Sequence, residues 1–88
     1  SALDPASTAR IEDLVFEFMM NALRLTRGFP AGLFAERTGL QIALAEKALR
    51  EAEARGLIVR DHERIAPSAL GQRFLNDLLQ LFLPVRPA

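Results

Sequence analysis

Apolar residues recur every three or four positions through the first third of the chain, the spacing that places side chains on one face of an α-helix. This pattern predicts a helix that starts near Asp4-Pro5 or Ser7 and continues to Arg27. Gly28 is positioned to end it, because glycine accommodates the backbone turn that follows a helix. The apolar residues predicted to face inward are Ile11, Leu14, Val15, Phe18, Ala22 and Leu25.

Glycines divide the next segment into two shorter predicted helices. Residues 31–38 form the first of them, after an extended connector at 28–30, and Gly39 ends it. Residues 40–55 again show helical spacing, and Gly56 follows them. A short helix, a glycine turn and a longer helix are typical of a helix-turn-helix.

A β-hairpin and a last helix complete the predicted fold. Residues 57–60 and 64–66 are short β-forming runs, and the three polar residues between them favour a tight turn. Ser68 is the predicted N-cap of a final helix that extends to Leu83. The fold class is therefore predicted to be mainly α with a small β-hairpin, in the order helix–helix–helix–hairpin–helix. This order is typical of a winged helix-turn-helix, which serves DNA binding and protein contact alike.

The chain has 88 residues, enough for one small hydrophobic core. We expect residues 7–83 to form the winged-helix domain. Residues 1–6 are predicted to be a disordered N-terminus or the remnant of a tag, and Pro84 and Pro87 predict an extended tail over residues 84–88. The sequence contains neither a signal peptide nor a run of about 20 apolar residues, so we expect no membrane span and a cytoplasmic location.

The residue types exclude several kinds of chemistry within these 88 residues. Half of the residues are hydrophobic, but there is no cysteine and only one histidine, His62. A disulfide, a thiolate zinc site, an iron–sulfur cluster and a site with two imidazole ligands are therefore excluded. His62 lies between acidic residues in the predicted turn, where a solvent-exposed side chain is the simplest interpretation. We expect the fragment itself to have no catalytic residue, cofactor or metal.

Charge balance argues against a nucleic-acid partner. The chain carries 11 basic and 11 acidic residues, and its net charge is zero, whereas phosphate binding requires an excess of cations. The third predicted helix carries three charges of each sign: Glu46, Lys47, Arg50, Glu51, Glu53 and Arg55. Gln41, at its start, could contact a base edge. A winged-helix DNA-binding regulator therefore remains the alternative function.

The first and last predicted helices carry more apolar residues than one buried face requires. On the first helix the apolar arc covers roughly 240°, against the ~100° stripe of an ordinary surface helix. Either such a helix is central to the core, or part of its surface is covered by another domain of a longer parent protein or by a second copy of the chain. The residues predicted to lie on this covered surface are Phe16, Met20, Leu23, Leu79 and Phe82.

Two sequence blocks carry a resemblance to a known family. The block Glu17 to Pro30 contains Asn21-Ala22-Leu23-Arg24-Leu25 followed by Gly28, and the block Leu70 to Leu83 contains Gly71, Asn76 and Asp77. Together they resemble the C-terminal domain of oxygen-independent coproporphyrinogen III oxidases and of the related radical-SAM heme chaperones, the HemN and HemW group. The resemblance extends from about Ile11 to Leu83 and is closer to the chaperone branch.

The resemblance implies a parent protein with a catalytic barrel ahead of this domain. The barrel would hold a [4Fe–4S] cluster through a Cys-x3-Cys-x2-Cys motif and bind S-adenosylmethionine, with heme as a further candidate ligand. The parent would be an oxidoreductase of porphyrin metabolism or a heme chaperone, and this chain an accessory domain that packs on the barrel and covers its substrate side.

Three polar residues of the first block are the contact candidates that the resemblance implies. They are Glu17, Asn21 and Arg24, and an arginine fork suits a porphyrin carboxylate. The structural alternative for Arg24 is an ion pair with Glu17 or Asp13. Gly28 and Gly71 are interpreted as positions that serve the backbone. A second copy of the domain is a further candidate partner.

Overall fold

A computed structural model describes the backbone of residues 5–84 and the side chains of residues 10–84. The disordered N-terminus or tag remnant was expected at residues 1–6; residues 1–4 lie outside this part, whereas Pro5 and Ala6 belong to the first helix. Of the extended tail expected at residues 84–88, residues 85–88 lie outside this part. Over the described residues the chain is mainly helical with one small antiparallel sheet, as the sequence predicts. The helices are α1 (Pro5–Ala22), α2 (Leu33–Thr38), α3 (Glu46–Ala54), α4 (Ala69–Arg73) and α5 (Leu75–Gln80), and the strands are β1 (Phe29–Pro30), β2 (Ile58–Arg60) and β3 (Arg64–Pro67).

Helix α1 ends at Ala22, five residues before the predicted end at Arg27. Two side chains donate to backbone carbonyls near its end: the Asn21 Nδ2 to the Glu17 carbonyl and the Arg24 Nε to the Met20 carbonyl. The Arg24 side chain thereby gives the Met20 carbonyl a partner where the helical backbone has ended. Gly28, with φ of +66°, lies in the turn that enters β1 and is not the helix cap.

The sheet has a third strand that the sequence pattern does not predict. Its order is β1-β3-β2, with Phe29 opposite Ile65 and Val59 opposite Ala66. The connector predicted at residues 28–30 therefore pairs with the hairpin as β1. A two-residue strand has no period of its own, so only its hydrogen-bonded partner identifies it.

Helix α2 and the segment before α3 follow the predicted turn. Gly39 has a left-handed φ of +74°, and its N–H donates to the Ala35 carbonyl, as expected of a glycine that ends a helix. The predicted third helix begins two residues later than Leu40, as a 3₁₀ turn over Ile42–Ala45, before α3 itself starts at Glu46.

The final predicted helix is two helices. Ser68 is the N-cap, as predicted, because its Oγ accepts a hydrogen bond of 3.0 Å from the Gly71 N–H. At Phe74, however, the backbone leaves helical geometry (φ −114°, ψ 49°) and separates α4 from α5. The break turns α5, with Leu78 and Leu79, into the core.

A single core is formed mainly by α1, α3, α5 and the sheet. Helix α1 contacts both α2 and α5, so its buried side is wider than that of a surface helix. The buried hydrophobic residues that form this core are Val15, Met19, Ala22, Leu23, Phe29, Phe34, Ala45, Leu49, Ala52, Leu57, Ile58, Ile65, Leu78, Leu79 and Phe82. Leu14 and Leu25, predicted to face inward, are instead 41% and 58% exposed.

Three residues of the predicted covered surface belong to this core. Leu23, Leu79 and Phe82 are 1%, 6% and 5% exposed within the domain itself, so the expectation that another domain or a second copy covers them is wrong. The reason is that the Phe74 break brings α5 against α1, which buries both apolar helix faces inside the domain. Phe16 and Met20 are half-buried and pack against the same core.

Candidate docking groove

Helix α1, strand β1 and helix α2 border an open groove of about 800 Å³, which we call the α1–α2 groove. Phe18 and Phe29 line it, and the fully buried Phe34 packs behind Phe18. The Phe18 ring packs edge-to-face on Phe29 of β1 at 4.9 Å and on Phe34 of α2 at 5.2 Å, both at 88°. The residues lining the groove are Leu14, Glu17, Phe18, Met20, Asn21, Ala22, Leu25, Gly28, Phe29, Pro30, Leu33, Arg37, Thr38 and Arg64.

The α1–α2 groove exposes two large apolar side chains. Leu14 lies on α1 and Leu25 lies just beyond the end of α1, and both line the groove while remaining about half exposed. A contiguous apolar groove on a protein surface is typical of a contact site. Exposed apolar surface is therefore found at Leu14 and Leu25 and not at Leu23, Leu79 and Phe82.

Two arginines border the same groove. Arg37 extends from α2 and Arg64 from β3. The Arg64 Nε donates to the Arg27 carbonyl at 3.1 Å and its Nη2 to the Gly28 carbonyl at 3.5 Å, so it holds the turn that enters β1. Glu17 is the one acidic side chain among the described lining residues.

The comparisons with known proteins identify the family. The HemN C-terminal domain family matches residues 11–74. The chain belongs to this family. Similar curated proteins are the heme chaperones HemW of Escherichia coli (38% identical), Haemophilus influenzae (35%) and Buchnera aphidicola (31%), each over 71 residues. No solved structure matches the chain.

The HemN C-terminal domain described here is a small part of those relatives. Each alignment covers 81% of this chain but only 18% or 19% of the relative. The chain thus spans about a fifth of the length of the curated relatives it matches.

The remaining contact candidates fall into two groups in this HemN C-terminal domain. Glu17 and Asn21 line the α1–α2 groove together with Met20, whereas Arg24 and Phe16 are not among its described lining residues. Arg24 forms no ion pair with Glu17 within the described part of the chain, and its Nε instead caps the Met20 carbonyl at 2.9 Å. The contact roles of Glu17, Asn21, Arg24, Phe16 and Met20 stay predictions.

The sequence pattern misses the residues that give the groove its character. Leu14 and Leu25 match the spacing of the inward face, and Arg37 and Arg64 lie 27 positions apart with no local motif joining them. A sequence signal existed only for the apolar excess on α1. Which of its apolar residues are exposed depends on where α2 and α5 pack.

The charged face of α3 is neutralised by its own ion pairs. Arg50 and Glu46 lie 3.2 Å apart, and Arg55 and Glu51 lie 2.8 Å apart. Across to β2, Arg60 pairs with Glu46 at 2.6 Å and also contacts Glu53. These arginines are therefore engaged with carboxylates of the same domain, in keeping with the balanced charge of the predicted third helix.

A second groove of about 530 Å³ lies between α1, α3 and the end of α5. It shares no described lining residue with the α1–α2 groove and contains the exposed Leu44 and Leu83 together with Lys47.

His62 is solvent-exposed in the hairpin turn, and its Nε2 lies 3.6 Å from Glu63 Oε1. Among the described residues there is no group of three His, Cys, Asp or Glu side chains that could hold a metal ion. None of the described helices is long and apolar enough to cross a membrane.

Proposed function

We propose that this chain is the accessory domain of a longer HemN- or HemW-type protein and docks on the catalytic barrel expected ahead of it. The surface that docks is the α1–α2 groove. The observation that carries the proposal is the exposure of Leu14 and Leu25, which are 41% and 58% exposed and line one apolar groove. The curated relatives are about five times longer than their match to this chain, so a parent of that kind has ample chain to cover it.

The proposed division of labour leaves the chemistry to the parent. The relatives are named heme chaperones, and we propose by analogy that the parent handles heme or a porphyrin. Its radical-SAM barrel would supply the [4Fe–4S] cluster and bind S-adenosylmethionine. This domain has no cysteine to ligate a cluster, and its contribution is to cover the barrel and exclude water from that side. We also propose that the domain is a winged helix, which the order of its elements supports. A cytoplasmic location is part of the same proposal.

The alternative of a DNA-binding regulator gains no support from the family assignment or the relatives. The arginines of the α3 face engage Glu46, Glu51 and Glu53 and would have to leave these carboxylates to contact phosphate. Self-association through the second groove is a separate proposal. The molar mass of the purified protein in solution tests it.

The docking proposal is tested by limited proteolysis of the intact parent protein. A docked domain protects the junction ahead of α1, and its cleavage rate reports how often the domain detaches. Leu25→Glu places a charge in the groove and is expected to speed junction cleavage at least several-fold. Val59→Glu is the matched control, since Val59 is 59% exposed and lies outside the groove, and it should leave the rate unchanged.

Circular dichroism of both variants separates loss of docking from loss of fold. Equal cleavage rates for the unaltered protein and Leu25→Glu, with both proteins folded, would reject docking through this groove.

A further inference from the structure

The charges of the domain are distributed unevenly between its two sides. On the α3 side, Arg50, Arg55 and Arg60 each pair with a glutamate. At the α1–α2 groove, Arg37 forms no ion pair with any described residue, and the Arg64 side chain donates to backbone carbonyls. The groove therefore presents two guanidinium groups beside an apolar floor, in a chain whose net charge is zero.

Covering this groove without supplying negative charge would be unfavourable. A partner that buries Leu14 and Leu25 also removes water from the two neighbouring arginines, and a desolvated charge without a counter-charge is unfavourable. A guanidinium offers two parallel N–H donors to one carboxylate, which makes aspartate and glutamate its best-matched protein partners. Glu17 alone cannot balance both arginines once the groove is closed.

We infer that the occupant of the α1–α2 groove is an acidic amphipathic segment of the parent chain: apolar side chains cover Leu14 and Leu25, and Asp or Glu side chains pair with Arg37 and Arg64. The inference rests on the proposed docking function and names the chemistry of its partner. The apolar lining follows α1 from Leu14 to Ala22, about 12 Å at the helical rise of 1.5 Å per residue. That length accommodates about two turns of a helix or four residues of an extended strand.

The test measures junction cleavage in the intact parent protein at low and high salt. Arg37→Glu reverses one charge of the groove and is expected to raise the cleavage rate about tenfold at low salt. The unaltered protein should be cleaved faster as salt rises, because salt screens the carboxylate pairs, whereas Arg37→Glu should have lost most of this response. Lys47→Glu makes the same charge change in the second groove and should keep both the original rate and the original salt response.

Each outcome separates this inference from the docking proposal. If Leu25→Glu releases the domain and Arg37→Glu does not, docking stands and the acidic partner is wrong. If neither variant changes the rate while both stay folded by circular dichroism, docking through this groove is itself wrong. A titration with hemin, followed by absorbance, adds a third arm: weaker hemin binding by Arg37→Glu with an unchanged cleavage rate would assign the arginines to a tetrapyrrole carboxylate and overturn the inference.

Discussion

Arg60 on β2 donates hydrogen bonds from both of its terminal nitrogens to the carboxylate of Glu46 at the start of α3. Its Nη2 lies 2.6 Å from Glu46 Oε1, and its Nη1 lies 3.0 Å from Oε2. The Arg60 Nε also donates to Glu53 at 3.1 Å, so one guanidinium joins two turns of α3 to the hairpin. A fork of this kind fixes orientation as well as distance.

Replacing Arg60 by lysine should destabilise the domain by about 1 kcal/mol, because an ammonium group cannot make the two parallel contacts. The matched control is Arg50→Lys, which alters the other partner of Glu46. The Arg50 side chain is 76% exposed, against 19% for Arg60, and makes one contact of 3.2 Å. We expect a loss within about 0.5 kcal/mol for the control. Urea unfolding measures both free energies, and equal losses would contradict a special role for the fork.

The same contact makes stability depend on pH. The hydrogen bond from Arg60 is the main cause that lowers the pKa of Glu46 from 4.5 to about 2, against an opposing effect of burial. Since the folded state binds this proton less readily than the unfolded state, the stabilisation is present above pH 4.5 and disappears as the pH falls towards 2.

The variant Glu46→Gln should therefore be less stable than the unaltered domain at pH 7, and the difference should shrink between pH 4.5 and 2. Glutamine resembles the protonated glutamate, and changes at other carboxyl groups affect both proteins alike. Urea unfolding at a series of pH values measures the difference. A gap that stays constant down to pH 2 would show that the Glu46 charge is not its source.

Gly71 is required by a close backbone approach. A Cβ at this position would lie 1.9 Å from the Leu57 carbonyl oxygen, so Gly71→Ala must displace α4 from the hairpin. We expect a destabilisation of about 3 kcal/mol. Gly32→Ala is the control, since its Cβ would meet nothing within 4 Å and its φ is −74°. Its stability should change by less than about 1 kcal/mol, upwards if at all. Thermal unfolding of the two variants makes the comparison.

Leu23 and Leu25 are two positions apart, but truncating them should have very different effects on the free energy of unfolding. Leu23 is 1% exposed and Leu25 is 58% exposed. Leu23→Ala leaves a cavity in the core and should cost about 2–5 kcal/mol. Leu25→Ala should change the free energy of unfolding by less than about 0.5 kcal/mol. A larger loss for Leu25 than for Leu23 in urea unfolding would contradict the burial of Leu23 and the exposure of Leu25.

Locally encoded features were predictable from the sequence. Gly39 ends α2 in the left-handed conformation, and the Ser68 hydroxyl caps the Gly71 amide, because each depends on residues within four positions. The hairpin turn is equally local, since Asp61 accepts hydrogen bonds from the backbone amides of Arg64 and Glu63, and these bonds lower the pKa of Asp61. The family resemblance was also contained in the sequence and is confirmed over residues 11–74.

Tertiary packing decided the rest of the fold and the groove. Phe29 becomes part of a strand only by pairing with Ile65, 36 positions away, and the last helix breaks at Phe74 so that Leu79 can enter the core. On α1 the apolar arc is too wide for its spacing to identify one buried face. The positions of α2 and α5 determine that Met19 of α1 and Leu23 just beyond it are buried, and that Leu14 and Leu25 stay exposed. The periodicity of the sequence thus determined that α1 is a helix with more apolar surface than one buried face needs. Which part of that apolar surface stays exposed was decided by the tertiary structure, because burial depends on contacts between segments that are distant in sequence.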